Sequence, residues 1–520
     1  MKVFSLISLG LLAAITVNGQ TVKKKKAAPV VNRTGAERQF GEGINAEGVK
    51  KQLYVIAGEE MQGRETATEG QYKAAAYIAD QFKQMGLKPG AKGSWEQFYS
   101  LYQDTLTSST ITVAEEVFEF GKDYYASVKD NRSEELSNAQ VIYAGYGIST
   151  GNYDDYKGLD VKGKVVLLQQ GEPRKGDTAF LLSGTRQGSE WASVEKKAAQ
   201  AVSQGAKAVL VISESLARMG AVSERIKRSG IYTASDDPTE SKLNIYFVSS
   251  RLAAAIMGKE VNKQLQPDHQ AAANKVTIRF AKGVNDMKTS NVLGYLEGAD
   301  KKEEVLFITA HYDHLGVHDG KVYYGADDDG SGTSAVIEIA AAFMKAKKAG
   351  YGPRRSIVFM TVSGEEKGLL GSRYYTDNPI YPLEKTVTDL NIDMIGRIDP
   401  DHEKDSNYVY IIGDDKLSSE LRTISEMANN MHTHLDLDYK YNDPEDHNRF
   451  YYRSDHYMFA QHNIPIIFYF NGVHADYHKP TDTVEKINYE LLAKRARLVF
   501  YTAWDIANRN ERLVVDRNEK

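Results

Sequence analysis

Five residues able to ligate a hard-to-borderline cation lie in the second half of the chain, four of them at or beyond the end of an apolar run. They are His311 in Ala310-His311-Tyr312-Asp313-His314, Asp328 in Gly325-Ala326-Asp327-Asp328-Asp329-Gly330-Ser331-Gly332, Glu366 in Ser363-Gly364-Glu365-Glu366, Asp393 in Asp393-Met394-Ile395-Gly396, and His478. Zn²⁺ takes imidazole nitrogen and carboxylate oxygen where thiolate is absent, and the sequence has no cysteine. Two histidines and three carboxylates suffice for two Zn²⁺ ions if one carboxylate bridges; the same donors would serve a single ion, Mn or Co. Asp328 is the bridging candidate, because its flanking glycines let the backbone turn tightly before a helix expected from about Thr333. Neighbouring cations polarise a carbonyl and activate a water. Glu365 is then the expected general base, taking the proton of that water and passing it to a leaving amine. Asp313, two residues past His311, is expected to accept the other ring N–H and fix the tautomer.

The elements that must carry these groups are legible as strands at Val305 to Ala310, Ser356 to Val362, Leu390 to Ile392 and Ile464 to Phe470, alternating with helical stretches. This alternation predicts an α/β fold with a mainly parallel mixed sheet and helices on both faces. In such sheets ligands bind beyond the carboxyl ends of strands, where four separate segments here deliver metal-competent side chains. Upstream, Val49, Leu53 and Ile56 recur at helical spacing. Thr68-Glu69-Gly70-Gln71 reads as a capping box before a stripe of Ala74, Ile78, Phe82 and Met85, which ends at Gly86 as a C-cap. From about 112 to 271 the texture changes to short strands (Val141 to Tyr143, Val165 to Leu168), a helix over Val194 to Ser203, and the strand Ala208 to Ile212. This reads as a smaller α/β unit inserted between 44–111 and 272–512 of the main domain.

A length of 520 residues exceeds one core and suits two or three domains. With 42% hydrophobic and 26% charged residues the composition is globular. A net charge of −5 offers no basic field for nucleic acid or an anionic membrane, so neither is an expected partner; peptides are. Lys2, the apolar Val3 to Val17 and the small-residue site Val17-Asn18-Gly19 read as a signal peptide over 1–19, followed by a polar tail over 20–43. The expected location is therefore secreted or periplasmic, with no stable membrane insertion once the signal is removed. Oligomeric state is not legible.

Several motifs have plainer readings. Gly147-Ile148-Ser149-Thr150-Gly151 fits a nucleophile elbow, but the following residues are turn-like rather than helical, so Ser149 reads as a loop serine. Asp327 to Glu338 fits a relaxed calcium loop, yet Lys321 to Gly325 lacks the entering helix. Adjacent glutamates such as Glu365-Glu366 alone are usually a charged helix start. His314, His318, His432, His434, His447 and His474 read as solvated or locally bonded. Arg453 could supply a cation for a substrate carboxylate, but an arginine there is more often a surface or capping residue, and Ser454-Asp455-His456 receives no catalytic role.

On these motifs, residues from about 284 to 510 with the opening helices resemble the co-catalytic zinc aminopeptidase and glutamate carboxypeptidase family. Tyr146-Gly147-Ile148, Tyr156 to Lys164 and Gly205 to Val209 resemble a protease-associated domain. The resemblance implies that Glu366 and His478 complete one metal, Asp393 and His311 the other, and Asp328 spans both. It implies an exopeptidase, with an aminopeptidase expected first. A glutamate-type carboxypeptidase, a glutaminyl cyclase on the same scaffold and a non-catalytic receptor-like homologue are the alternatives.

Overall fold

A computed structural model describes residues 35–151, 153–176, 179–213, 225–234, 243–261 and 271–518. The expected signal and the start of the tail lie outside these residues. Among the described residues no helix is long and apolar enough to cross a membrane.

An 11-stranded mixed sheet forms the centre of the main domain. Its middle strands are parallel: Lys301–His311 pairs with Arg355–Val362 on one side and Thr386–Ile392 on the other, and Thr386–Ile392 pairs with Ile466–Phe470. Antiparallel strands flank them, Val276–Leu296 beside Arg355–Val362 and Tyr408–Ile412 beside Ile466–Phe470. Side-chain alternation along the central strands feeds two cores. Leu306, Ile308 and Ala310 pack with the helices Ala46–Ile56, Glu69–Met85, Gly332–Lys348 and Tyr489–Asn508, whereas Val305 and Phe307 pack with Tyr375 and Phe459 on the opposite face. Helices thus cover both faces.

The opening helices form where their apolar spacing places them, with Val49, Leu53, Ile56, Ala74, Ile78 and Phe82 buried in the first core. Asn45 caps the first of these helices by accepting the Gly48 N–H at 3.0 Å, and Gly86 ends the second at φ 92. The expected capping box does not form. The Thr68 hydroxyl donates to the Glu65 carbonyl at 2.6 Å and accepts no helix N–H, and Gln71 accepts the Ala67 N–H at 3.2 Å instead of that of Thr68. The segment expected as tail through residue 43 also differs: Ala36–Gly41 is a short helix whose buried Phe40 packs against Tyr351 and Trp504.

The insert has its own five-stranded sheet, in which Val165–Gln169, Ala208–Ile212 and Asn244–Val248 run parallel. It joins the main sheet through two long antiparallel strands, Glu96–Val113 and Val276–Leu296, whose far ends (Ile111, Val113, Ile278, Phe280) are buried in the insert's core. Ser149 lies in a two-stranded hairpin with Tyr153–Asp154 and no helix follows it, so the elbow geometry is absent. Lys321–Tyr323 is a strand, so the calcium-loop geometry is absent as well.

Candidate active site

The carboxyl ends of the parallel strands converge on one acidic cluster. His311 closes its strand with a buried ring, and Nε2 lies 3.2 Å from Asp328 Oδ1, 3.6 Å from Asp393 Oδ1 and 4.0 Å from Glu365 Oε2. On the other side of Asp328, His478 Nε2 lies 3.0 Å from Asp328 Oδ2 and 3.3 Å from Glu366 Oε2. All five expected donors therefore meet, with Asp328 between the two halves.

The loop carrying Asp328 is held by its neighbours. Asp329 accepts the main-chain N–H of His311 (3.2 Å), Gly332 (2.9 Å) and Met394 (3.0 Å), tying three site loops to one carboxylate. Asp482 accepts from the N–H of both Asp327 (2.9 Å) and Asp328 (3.2 Å). Gly325, at φ 55, lets the chain pass where a Cβ would stand 2.2 Å from the Asp328 carbonyl and 2.5 Å from the His314 ring. Arg64 is fully buried and spends its guanidinium on the carbonyls of Ile56, Tyr312, Tyr324 and Gly325, joining the His311 strand end to this loop. Gly364, at φ 73, makes the turn that presents Glu365 and Glu366.

Asp313 takes a different part from the one expected. The His311 Nδ1 partner is the Asp313 main-chain carbonyl at 3.0 Å, while the carboxylate stands 3.8 Å away. That carboxylate is already engaged, by the Thr66 hydroxyl at 2.6 Å and the Glu365 N–H at 3.2 Å, so it positions the Glu365 turn instead. His314 departs further from expectation. It is fully buried with Nδ1 2.9 Å from Glu366 Oε1 and 3.8 Å from Asp328 Oδ2, and forms a donor group with those two carboxylates. His474 is locally bonded as expected, its Nδ1 accepting the Asp476 N–H at 3.2 Å, with Nε2 facing Asp327 Oδ2 at 3.2 Å. His432 stacks on Tyr501, and His318, His434 and His447 are exposed.

Ser454 was missed by sequence reasoning. Its hydroxyl donates to Asp393 Oδ2 at 2.7 Å and receives Asn391 Nδ2 at 2.9 Å. The only available signal was its place in Ser454-Asp455-His456. His456 itself is buried with Nε2 2.8 Å from the Tyr451 carbonyl, and burial lowers its pKa to about 3, leaving it a neutral core residue.

The electrostatics show an unfinished cluster. Burial opposes the Asp328 charge, but His311, His478 and His314 outweigh it and hold its pKa well below the ordinary carboxylate range. Burial likewise opposes the His478 cation, yet Asp328 and Glu366 raise its pKa to about 10. Burial pushes Glu365 well above its ordinary value, and the Glu366 and Asp393 charges add to this despite the opposing His311. Asp328 Oδ2, Glu366 Oε1 and His314 Nδ1 are buried and face ionisable neighbours at 2.9 to 3.8 Å without an aligned hydrogen bond, and His314 Nε2 has none either. Such orphaned atoms are costly to bury, and facing oxygens and nitrogens without sulfur suit a borderline cation such as zinc. The donor set fits the metal. A small open cavity lies above it, where Asp328, Glu365 and Asp393 face Met394, Phe450, Phe468, Phe470 and Tyr477.

Comparison with known proteins agrees with this geometry. Residues 291–503 match the model of Peptidase family M28, and residues 133–256 match that of the PA domain. A glutamate carboxypeptidase 2 homolog of Caenorhabditis briggsae is 24% identical over 409 residues, covering 68% of this chain and 51% of its own. A probable leucine aminopeptidase of Arthroderma otae is 30% identical over 216 residues, 40% of this chain and 56% of its own. The chain thus spans about half the length of these curated relatives. The solved aminopeptidase from Aneurinibacillus sp. strain AM-1 shares the fold, with a TM-score of 0.52 at 20% identity over 93% of this chain and 98% of that one. Residues 291–503, which carry the strand-end cluster, thus resemble Peptidase family M28, and the inserted five-stranded sheet lies largely within the segment that resembles a PA domain.

Proposed function

We propose that the protein is an exported, zinc-dependent aminopeptidase that removes N-terminal residues from peptides. The observation that carries this is the convergence of His311, Asp328, Glu366, Asp393 and His478 around orphaned buried oxygens at the floor of an aromatic cavity. When bound there, a pair of zinc ions supplies Lewis-acid polarisation of the scissile carbonyl and of the attacking water. His311 and Asp393 would hold one ion, Glu366 and His478 the other, and Asp328 both.

The remaining steps fall to the chain's own groups. Glu365 lines the cavity beside the donors, accepts the proton of the attacking water at its carboxylate and returns it to the leaving amine nitrogen. Asp313 accepts the Glu365 N–H and keeps that turn in place. The likeness over 216 residues to a probable leucine aminopeptidase supports the amino-terminal reading. Met394, Phe450, Phe468 and Phe470 exclude water around the terminal side chain. Export is proposed from the signal-like Lys2 to Gly19 segment.

The test is to assay amino-acid anilides, C-terminal glutamyl peptides and N-terminal glutaminyl peptides with zinc-replete wild type and Glu365→Gln, counting zinc in both. Anilide hydrolysis by wild type, reduced about 10²- to 10⁴-fold in Glu365→Gln at equal zinc content, is the expected result. Cleavage confined to glutamyl peptides, cyclisation of glutaminyl peptides, or full turnover by Glu365→Gln would overturn the reading.

A further inference from the structure

Arg453 is the one arginine or lysine among the described residues that line the cavity over the donor cluster. It does not cap a helix through its side chain. The 3₁₀ turn Phe450–Tyr452 ends with the Arg453 main-chain N–H on the Phe450 carbonyl, and the guanidinium projects outward over the Phe450 ring, 4.8 Å from its centre. Its one hydrogen bond is a long one of 3.5 Å to the Tyr477 hydroxyl, and no carboxylate among the described residues pairs with it. Arg397, by contrast, is paired with Asp476 at 3.0 Å and Arg422 with Asp414 at 2.9 Å, while Arg449 stacks on Tyr452 but does not line this cavity. Stacking on an aromatic face leaves the edge N–H groups of a guanidinium free for a bidentate carboxylate.

The position of this cation is registered to the donors. Ser454, the next residue, donates to Asp393 at 2.7 Å, so the main chain at Arg453 is anchored to the acidic floor while its side chain stands at the exposed rim. Between floor and rim the lining is apolar, including Met394, Phe468 and Phe470. The cavity thus offers the donor cluster at one end, an apolar midsection, and an unpaired planar cation at the other.

Resting on the aminopeptidase reading, we infer that Arg453 receives a substrate carboxylate at the rim and makes the site selective for short acidic substrates. The carboxylate belongs either to the side chain of an acidic N-terminal residue or to the α-carboxylate of a dipeptide.

Paired substrates separate these sources. Glutamyl and glutaminyl anilides differ only in the side-chain charge; Leu-Gly and Leu-Gly-amide differ only in the terminal one. Wild type is expected to favour the charged member of one pair in kcat/KM, mainly through KM. In Arg453→Ala that ratio falls roughly 10- to 100-fold toward one, as for the loss of a charge-assisted hydrogen bond. Arg453→Lys, which keeps the charge without the planar fork, recovers part of it. A wild-type ratio near one in both pairs, or equal losses on charged and neutral members in Arg453→Ala, overturns the inference. If wild type cleaves none of the four, the aminopeptidase reading has failed, and the same peptides are titrated into Glu365→Gln with and without Arg453→Ala. Carboxylate-dependent binding that needs Arg453 then upholds the rim contact, and binding indifferent to Arg453 removes it.

Discussion

Asp155 in the insert and Asp328 in the main domain are both 3% exposed and both lie in glycine-rich loops beyond a strand, yet their carboxylates are finished differently. Asp155 Oδ2 accepts main-chain N–H groups from Tyr146 at 3.0 Å and Ile148 at 3.1 Å, so a local turn satisfies it. Burial raises its pKa even so. Asp328 Oδ2 has no hydrogen-bond partner and faces His478 at 3.0 Å. The cations follow the same division. Lys197 is buried in the insert with its ammonium on the carbonyls of Gln169 and Gly171, while Arg453 stands unpaired at the rim of the active-site cavity. A buried charge matched by main-chain partners has completed its structural role. One left facing other ionisable groups is available to a ligand.

The comparison predicts the largest effect for Asp328→Ala. Zinc retained after dialysis and turnover should both fall, the latter to background, since this carboxylate serves both halves of the donor set; a variant retaining both ions and full rate would remove Asp328 from the shared position. Asp155→Ala should cost about 1–3 kcal/mol of stability by stranding two buried N–H groups, read as a lower unfolding midpoint. Turnover per folded molecule should stay unchanged, and a selective loss of activity would break the contrast between the two aspartates.

Lys197 gives a pH test. Burial lowers its pKa to about 8, below an unfolded value of about 10.4. Below about pH 8 it is charged in both states and the folded protein bears the full burial cost. Between about pH 8 and 10.4 the unfolded chain binds more protons, so stability rises with pH. The wild-type minus Lys197→Met difference in stability should rise across that window and be flat below it; a flat difference throughout would show that Lys197 titrates normally. The smallest effect is expected for Ser149→Ala, with stability changed by less than about 0.5 kcal/mol and turnover unaltered. A large fall in turnover would restore the serine as a chemical group.

Much of the site was legible because its strands are short apolar runs with a polar residue at the carboxyl end, a local pattern that survives in one dimension. His311, Glu365 with Glu366, and Asp393 were placed in this way, and the glycines around Asp328 marked its tight loop. Other parts left little trace. Thr68-Glu69-Gly70-Gln71 has the composition of a capping box, but Thr68 donates to the Glu65 carbonyl and Gln71 accepts the Ala67 N–H, one residue before the expected one. His314 and His318 are both histidines near the same strand end, and only packing buries the first beside Glu366 and exposes the second. Arg64 gives no sign in sequence of the carbonyls it will bind some 250 residues later.

From sequence alone come the donor types, their strand-end placement, the paired Glu365-Glu366 and the change of texture that marks the insert, because each depends on residue chemistry and short-range periodicity. The tertiary structure decided which partners those groups meet. Asp482 reaches the N–H groups of Asp327 and Asp328 across about 155 positions, Ser454 reaches Asp393 across 61, and the Asp313 carboxylate turns from His311 to Glu365. These choices are made by loops converging at one sheet edge, where a hydrogen bond goes to whichever donor packing brings within about 3 Å.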